Sequence, residues 1–215
     1  MKYDLKQEIP LLATTALPIV YALYLWNSLP EKIPTHWNLK GEIDGWGSKE
    51  PFIIFFITIP VFIYILFLVL PMIDPKKKLQ KMGKKFYRIK FFMILIMSLL
   101  AVFALYSAQN QSESSIKALL ALFGFMIVGL GNYFPAVKHN YFIGIKTPWT
   151  LENETVWKET HQMAGKLWFF GGALLTLLVL ILPVESSFIV FLVGMAVLTL
   201  VPLVFSYRKY KGLKS

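Results

Sequence analysis

PFIIFFITIPVFIYILFLVLPMI, residues 51–73, runs straight into DPKKKLQKMGKKFYRIK, residues 74–90, and this junction decides the fold. The first stretch carries no charge over more than the roughly 20 apolar residues that a membrane helix needs. The second is dense in bases. A surface helix of a soluble domain would show a polar face, and residues 51–73 show none. Five further runs resemble it, at 9–29, 91–107, 118–136, 167–184 and 186–207, and all 12 acids and all 22 Lys/Arg lie outside the six. The chain is 56% hydrophobic and 16% charged, with mean hydropathy +0.58; an ordinary soluble domain is about a quarter charged. The pattern predicts an all-α fold, a polytopic membrane protein with six transmembrane helices. Asp4 and Glu8 sit where a signal peptide would be basic, so the first run reads as a retained anchor.

The bases set the expected orientation. Short cytoplasmic loops collect Lys and Arg. With both termini cytoplasmic, only Lys32, Lys40, Lys49 and Lys117 of the 22 fall outside. The run at 74–90 is then chiefly a topology signal, with anionic lipid headgroups as its second partner. The net charge of +10 comes with no nucleic-acid motif, so no direct nucleic-acid contact is expected. The chain has no cysteine, which excludes disulfides, thiol nucleophiles and Cys-ligated metals. No cofactor and no metal is expected. Three parts are predicted: a two-helix module at 1–75 with a patterned extracellular loop at 30–50, a basic loop and third span at 76–115, and a module at 116–215 holding spans four to six.

The polar side chains within the runs are mainly Thr14, Thr15, Thr58, Ser98, Asn132, Thr176 and Thr199. No ionisable group lies inside any run, which argues against a proton-coupled pump. Pro18, Pro60 and Pro202 are expected to kink their helices. Small residues such as Gly131 and Gly172 suit close helix approach.

Two polar loops remain. LPEKIPTHWNLKGEIDGWGSKEP, residues 29–51, has NLKG and DGWG as turn signals. A compact loop or small hairpin is expected there, with Trp37 and Trp46 at headgroup level. His36, Trp37, Asn38, Gly41 and Asp44 are its candidate contacts. His36, Glu42 and Asp44 fit no calcium or zinc spacing.

The second loop is expected on the cytoplasmic side, at 132–166. Lys146 and Thr147 should be extended before Pro148. Thr150 is expected to cap one helix running from about Leu151 into span five, with Glu152 and Glu154 in its first turn. Val156, Trp157, Thr160, His161, Met163, Ala164, Leu167 and Trp168 share one side of that helix. Glu152, Lys158, Glu159, Gln162 and Lys166 share the other. The bland expectation is an interfacial elbow anchored by tryptophans. A catalytic alternative would rest on Glu154, His161, Glu159, Lys146 and Thr147. Glu154 and His161 stand two turns apart and pair poorly. The chain is therefore read as no enzyme.

GNYFPAVKHNYFIGIKTPWTLENETVWKETHQMAGK, residues 131–166, resembles the signature of the SdpI-like family, membrane immunity proteins against the sporulation-delaying-protein toxin. Gly131, Asn132, Asn140, Gly144, Ile145, Thr147 to Leu151, Glu154, Trp157 and Gly165 carry the likeness. The outer loop resembles an N-terminal membrane module of unassigned function. The family usually has Arg where Lys146 stands; a planar bidentate fork is replaced by a point charge. The resemblance implies a multi-pass protein of the bacterial cytoplasmic membrane that gives immunity to a membrane-active peptide toxin. In the best-known members a cytoplasmic transcriptional repressor is also drawn to the membrane. The implied binding residues are Asn132, Asn140, Gly144, Lys146, Thr147, Pro148, Trp149, Glu154, Trp157 and His161. Two other classes stand beside this reading: a transporter or channel for a peptide or lipid, and a membrane enzyme.

Overall fold

The structure is a computed structural model that describes residues 5–110 and 115–214. It is mostly helical. In chain order it holds α1 (Leu5–Leu25), β1 (Lys32–Trp37), β2 (Ile43–Ser48), α2 (Lys49–Ile73), α3 (Lys84–Asn110), α4 (Ser115–Tyr133), α5 (Pro148–Glu152), α6 (Glu154–Ile181) and α7 (Val184–Lys214). Among the described residues, six helices are long and apolar enough to cross a membrane. This is consistent with the six expected spans. Their outward surfaces are apolar, as at Phe55, Phe62, Phe170 and Leu192, which is what hydrocarbon accepts and water does not.

Several hydroxyls within the helices fold back on their own turns, whereas those of Ser98, Ser107 and Thr160 are buried without a hydrogen-bond partner. Thr14 donates to the Pro10 carbonyl at 2.8 Å, Thr15 to Leu11 at 2.8 Å, Thr58 to Ile54 at 2.6 Å and Thr176 to Gly172 at 2.8 Å. Each removes a polar group from the apolar surroundings.

The chain divides into two compact units. The first comprises Met1–Val69 and Tyr87–Leu119. Its core gathers Ala22, Leu25, Leu29, Ile33, Ile53, Leu105 and Ala108, so the β1–β2 hairpin rests on the ends of helices through Ile33. The hairpin is antiparallel, within the expectation of a compact loop or small hairpin, and is the one sheet among the described residues of an otherwise helical fold. Asn38 shapes its turn: its Oδ1 accepts from the Lys40 and Glu42 amides at 2.9 and 3.1 Å. Gly41 closes it at φ 84°.

DGWG is not a turn. It forms most of β2, and its glycines serve close approach instead. A Cβ on Gly45 would lie 2.7 Å from the Cβ of His36, where the pairing register is irregular. His36 Nδ1 donates to Asp44 Oδ1 at 2.5 Å, and Asn38 Nδ2 to Glu42 at 2.7 Å. These side chains are thus tied to one another within the hairpin. Trp46 is exposed, whereas Trp37 is half-buried.

The helices extend past the hydropathy limits, and Glu8 of α1, half-buried, forms an ion pair with buried Lys90 of α3. Charge is therefore present inside helix ends that the hydropathy runs left out.

The second unit comprises Leu70–Phe86 and Leu120–Ser215. α4 and α6 pack backbone to backbone at Gly131 and Gly165. A Cβ on Gly131 would lie 2.5 Å from the Phe169 amide nitrogen, and one on Gly165 2.7 Å from Pro135. α6 and α7 share a core of Leu175, Val179 and Leu198. The indole of Trp168 donates to the Leu198 carbonyl at 2.7 Å across that pair.

Candidate functional site

α4 ends at Tyr133, and a short 3-10 turn, Phe134–Ala136, follows with Pro135 at its second position. From there to α6 the chain has little regular structure, so its backbone groups need other partners. The signature side chains supply them. Asn140, 2% exposed, donates to the Lys138 and Ile143 carbonyls at 2.7 and 3.0 Å. It accepts from the Phe142 and Ile143 amides at 2.7 and 2.8 Å. That uses both ends of its amide on one tight loop.

His161, 1% exposed, does the same from α6. Its Nδ1 donates to the Trp157 carbonyl at 2.8 Å, and its Nε2 accepts the Ile145 amide at 2.9 Å. These partners fix the neutral tautomer with hydrogen on Nδ1. Gly144 passes directly over this ring at φ 123°. A Cβ there would stand 2.4 Å from His161 Nε2.

Trp157, 2% exposed, stacks on His161 with centroids 4.1 Å apart, and His139 meets its face edge-on at 5.1 Å. Its indole N–H donates to the Val137 carbonyl at 3.0 Å. The expected tryptophan anchor at the interface is therefore corrected. Trp157 is a core residue pinning the incoming chain. Trp149 is half-buried and donates to Ser206 of α7 at 2.6 Å.

The single expected helix is two. Thr147, not Thr150, is the first cap. Its Oγ1 accepts the Thr150 amide at 3.2 Å while Thr150 Oγ1 accepts the Thr147 amide at 2.8 Å. This is a reciprocal capping box with Pro148 at the first helical position. α5 ends at Glu152, and Asn153 then caps α6 by accepting from Thr155 and Val156. The chain breaks at Asn153 because an Asx side chain competes well for the amides of a new first turn. Glu152 closes α5 and meets Tyr210 of α7, while Glu154 alone opens α6. The expected division of α6 faces holds in part: Met163, Leu167, Trp168 and Glu159 are half-buried, and Glu152 belongs to α5. Val156, Trp157, Thr160, His161 and Ala164 are buried; Lys158, Gln162 and Lys166 are exposed.

The linker between α2 and α3, from its sequence chiefly a topology signal with lipid headgroups as a second partner, joins this site. Buried Asp74 accepts from the Lys76 and Leu79 amides at 3.2 and 2.8 Å. Leu79 and Met82 are buried beneath. Lys78 reaches Glu154 at 2.9 Å, Lys138 reaches the Lys81 carbonyl at 3.3 Å, and Lys76 reaches the Tyr141 hydroxyl at 3.3 Å. From α7, Lys209 reaches Glu159 at 2.8 Å. The signal for the linker was Asp-Pro, a turn former, ahead of the lysines. The carbonyl partners had no signal at all.

The candidates thus fall into two groups. Asn140, Gly144, Thr147, Trp149, Trp157 and His161 build the loop. Lys146, Tyr141, Pro148, Lys76 and the Glu154 carboxylate form its exposed face. Lys146 donates to the Phe142 carbonyl at 3.1 Å, and Asn132 is exposed on the last turn of α4. As catalytic candidates these residues do not converge. Both ring nitrogens of His161 engage backbone, Glu154 pairs with Lys78, and Glu159 pairs with Lys209.

The SdpI/YfhL protein family matches residues 136–206, and a domain of unknown function, DUF1648, matches residues 13–62. Over 213 residues the chain is 29% identical to a protein called immunity protein SdpI from Bacillus subtilis (strain 168), covering 97% of this chain and 98% of that one. No solved structure matches the chain.

Proposed function

We propose that this chain, a homologue of the immunity protein SdpI whose residues 136–206 carry the SdpI/YfhL family, is a multi-pass membrane protein that protects its cell from a membrane-active peptide toxin. The carrying observation is that likeness over 97% of the chain, joined to six helices able to span a bilayer. The role is non-enzymatic. It is supported by Asn140, Trp157 and His161, whose buried polar atoms hold backbone rather than standing poised for reaction.

In this reading the membrane is the bacterial cytoplasmic membrane and both termini lie inside, as the lysine and arginine bias favours. The β1–β2 hairpin then faces out and meets the toxin through His36, Trp37, Asn38, Gly41 and Asp44 or the exposed Trp46 beside them. The 132–166 loop and the 74–83 linker face in. Their exposed side chains, Lys76, Tyr141, Lys146 and Glu154, form the surface for a cytoplasmic repressor. Exposed Lys77, Lys81, Lys84, Lys85 and Arg88 attract anionic lipid at about 1 kcal/mol per base. The parts read from sequence, 1–75, 76–115 and 116–215, serve here as functional parts, while in the fold α3 groups with the first part and the linker at 70–86 with the third.

Colony survival tests this. A toxin-sensitive bacterium producing the chain is plated beside a producer of the sporulation-delaying toxin. Survival is expected with the chain and death without it. Equal killing at confirmed membrane abundance would remove the immunity reading.

A further inference from the structure

Three helices of the first unit converge on one charge pair. α1 starts at Leu5 and α3 at Lys84. At about 1.5 Å per residue, Glu8 lies roughly 5 Å along α1 and Lys90 roughly 9 Å along α3. Their side chains are 14% and 5% exposed. Lys90 Nζ donates to both carboxylate oxygens of Glu8, at 3.0 and 2.9 Å. From α2, the Tyr64 hydroxyl donates to Glu8 Oε2 at 3.0 Å. The Tyr64 ring also lies under the ammonium, 4.7 Å from centroid to Nζ. One turn back on α3, Tyr87 donates to the Gln7 carbonyl at 3.1 Å.

We infer that Glu8, Lys90 and Tyr64 form a polar clamp that sets how α1 seats against α2 and α3. Apolar faces alone specify seating weakly, because Leu, Ile and Val surfaces slide past one another at little cost. A largely buried ion pair is different. Its members tolerate only arrangements in which each meets the other, since a lone buried charge is strongly unfavourable. Replacing both members by neutral groups need not destabilise, so the pair contributes specificity rather than stability. Tyr64 sharpens the geometry by adding a donor for one carboxylate oxygen and a π face for the ammonium. The clamp does not rest on the immunity reading.

The absence of cysteine allows a single reporter. Leu11 of α1, fully buried and one turn beyond Glu8, is replaced by Cys. Maleimide labelling in native membranes and the thermal midpoint in mild detergent are then read for Glu8→Gln, Lys90→Met and the double variant. Each single variant is expected to lower the midpoint and to speed labelling about tenfold by local opening. The double variant is expected to recover the midpoint while labelling stays fast, and Tyr64→Phe to speed labelling about threefold. Should the single variants fail to accumulate, the double variant decides alone. A double variant that recovers both midpoint and slow labelling would overturn the clamp, as would single variants that label at the parent rate.

Discussion

His161 Nε2 accepts the backbone N–H of Ile145 at 2.9 Å, sixteen residues upstream. A side chain on α6 thereby holds the signature loop, while its other nitrogen is anchored to the Trp157 carbonyl. The loop is positioned by a neutral imidazole acting as a fixed two-ended bracket.

Replacing His161 by Ala leaves the Ile145 amide without its partner and removes a ring from the stack, while the Trp157 carbonyl keeps its bond within α6. The expected loss is about 2–4 kcal/mol, the sum of an unsatisfied donor and lost packing. Thermal unfolding in mild detergent measures it. A change below about 0.5 kcal/mol, the range of ordinary surface substitutions, would show that the bracket is not needed.

Gly144→Ala should be comparably harmful for a different reason. Its φ of 123° is costly for any residue with a Cβ, at about 1–3 kcal/mol. The added atom would also meet His161 Nε2. Limited proteolysis should cut residues 138–147 faster in this variant. An unchanged cleavage rate would contradict the close passage.

Trp149 and Ser206 are expected to couple. Trp149→Phe and Ser206→Ala each remove one partner of a 2.6 Å hydrogen bond. In a double-mutant cycle their effects should be non-additive by about 1 kcal/mol. Additive effects would mean that α7 does not hold α5 through this bond.

The caps separate two readings of the same segment. Thr147→Ala and Asn153→Ala should each cost about 1 kcal/mol, because each caps its own helix. One continuous helix from Leu151 would make Asn153→Ala favourable, since Ala is the better helix former. The sign of that one change decides between them.

The parts legible in the sequence were those written in local chemistry. Charge-free runs located all six long helices. The polar and apolar sides of α6 followed from the spacing of Trp157, His161 and Ala164 against Lys158, Gln162 and Lys166. Asn38 and Gly41 marked the hairpin turn. Where two local signals competed, the reading failed. Thr147 and Thr150 are both good caps, and only the reciprocal bond between them shows which begins the helix. DGWG spells a turn, yet Gly45 is there because His36 crosses it. Glu8 and Lys90 were invisible as a pair because hydropathy stops a span at its first charge, while two opposite charges that meet can both lie inside. The linker escaped for a third reason: its contacts with Tyr141, Glu154 and Lys138 are tertiary, and lysine spacing carries no record of them.

The exposed face separates function from folding. Lys146 and Tyr141 are exposed on the loop surface, so Lys146→Ala and Tyr141→Ala should keep stability within about 0.5 kcal/mol. If this face meets a partner, protection or signalling should fall while membrane abundance holds. Unchanged function in both variants would move the contact elsewhere.

Membrane potential is the most direct test of immunity. Cells producing the chain are loaded with a potential-sensitive dye and challenged with purified sporulation-delaying toxin. The expected result is a potential maintained beside controls that collapse. Collapse at the control rate, with the chain confirmed in the membrane, would contradict protection.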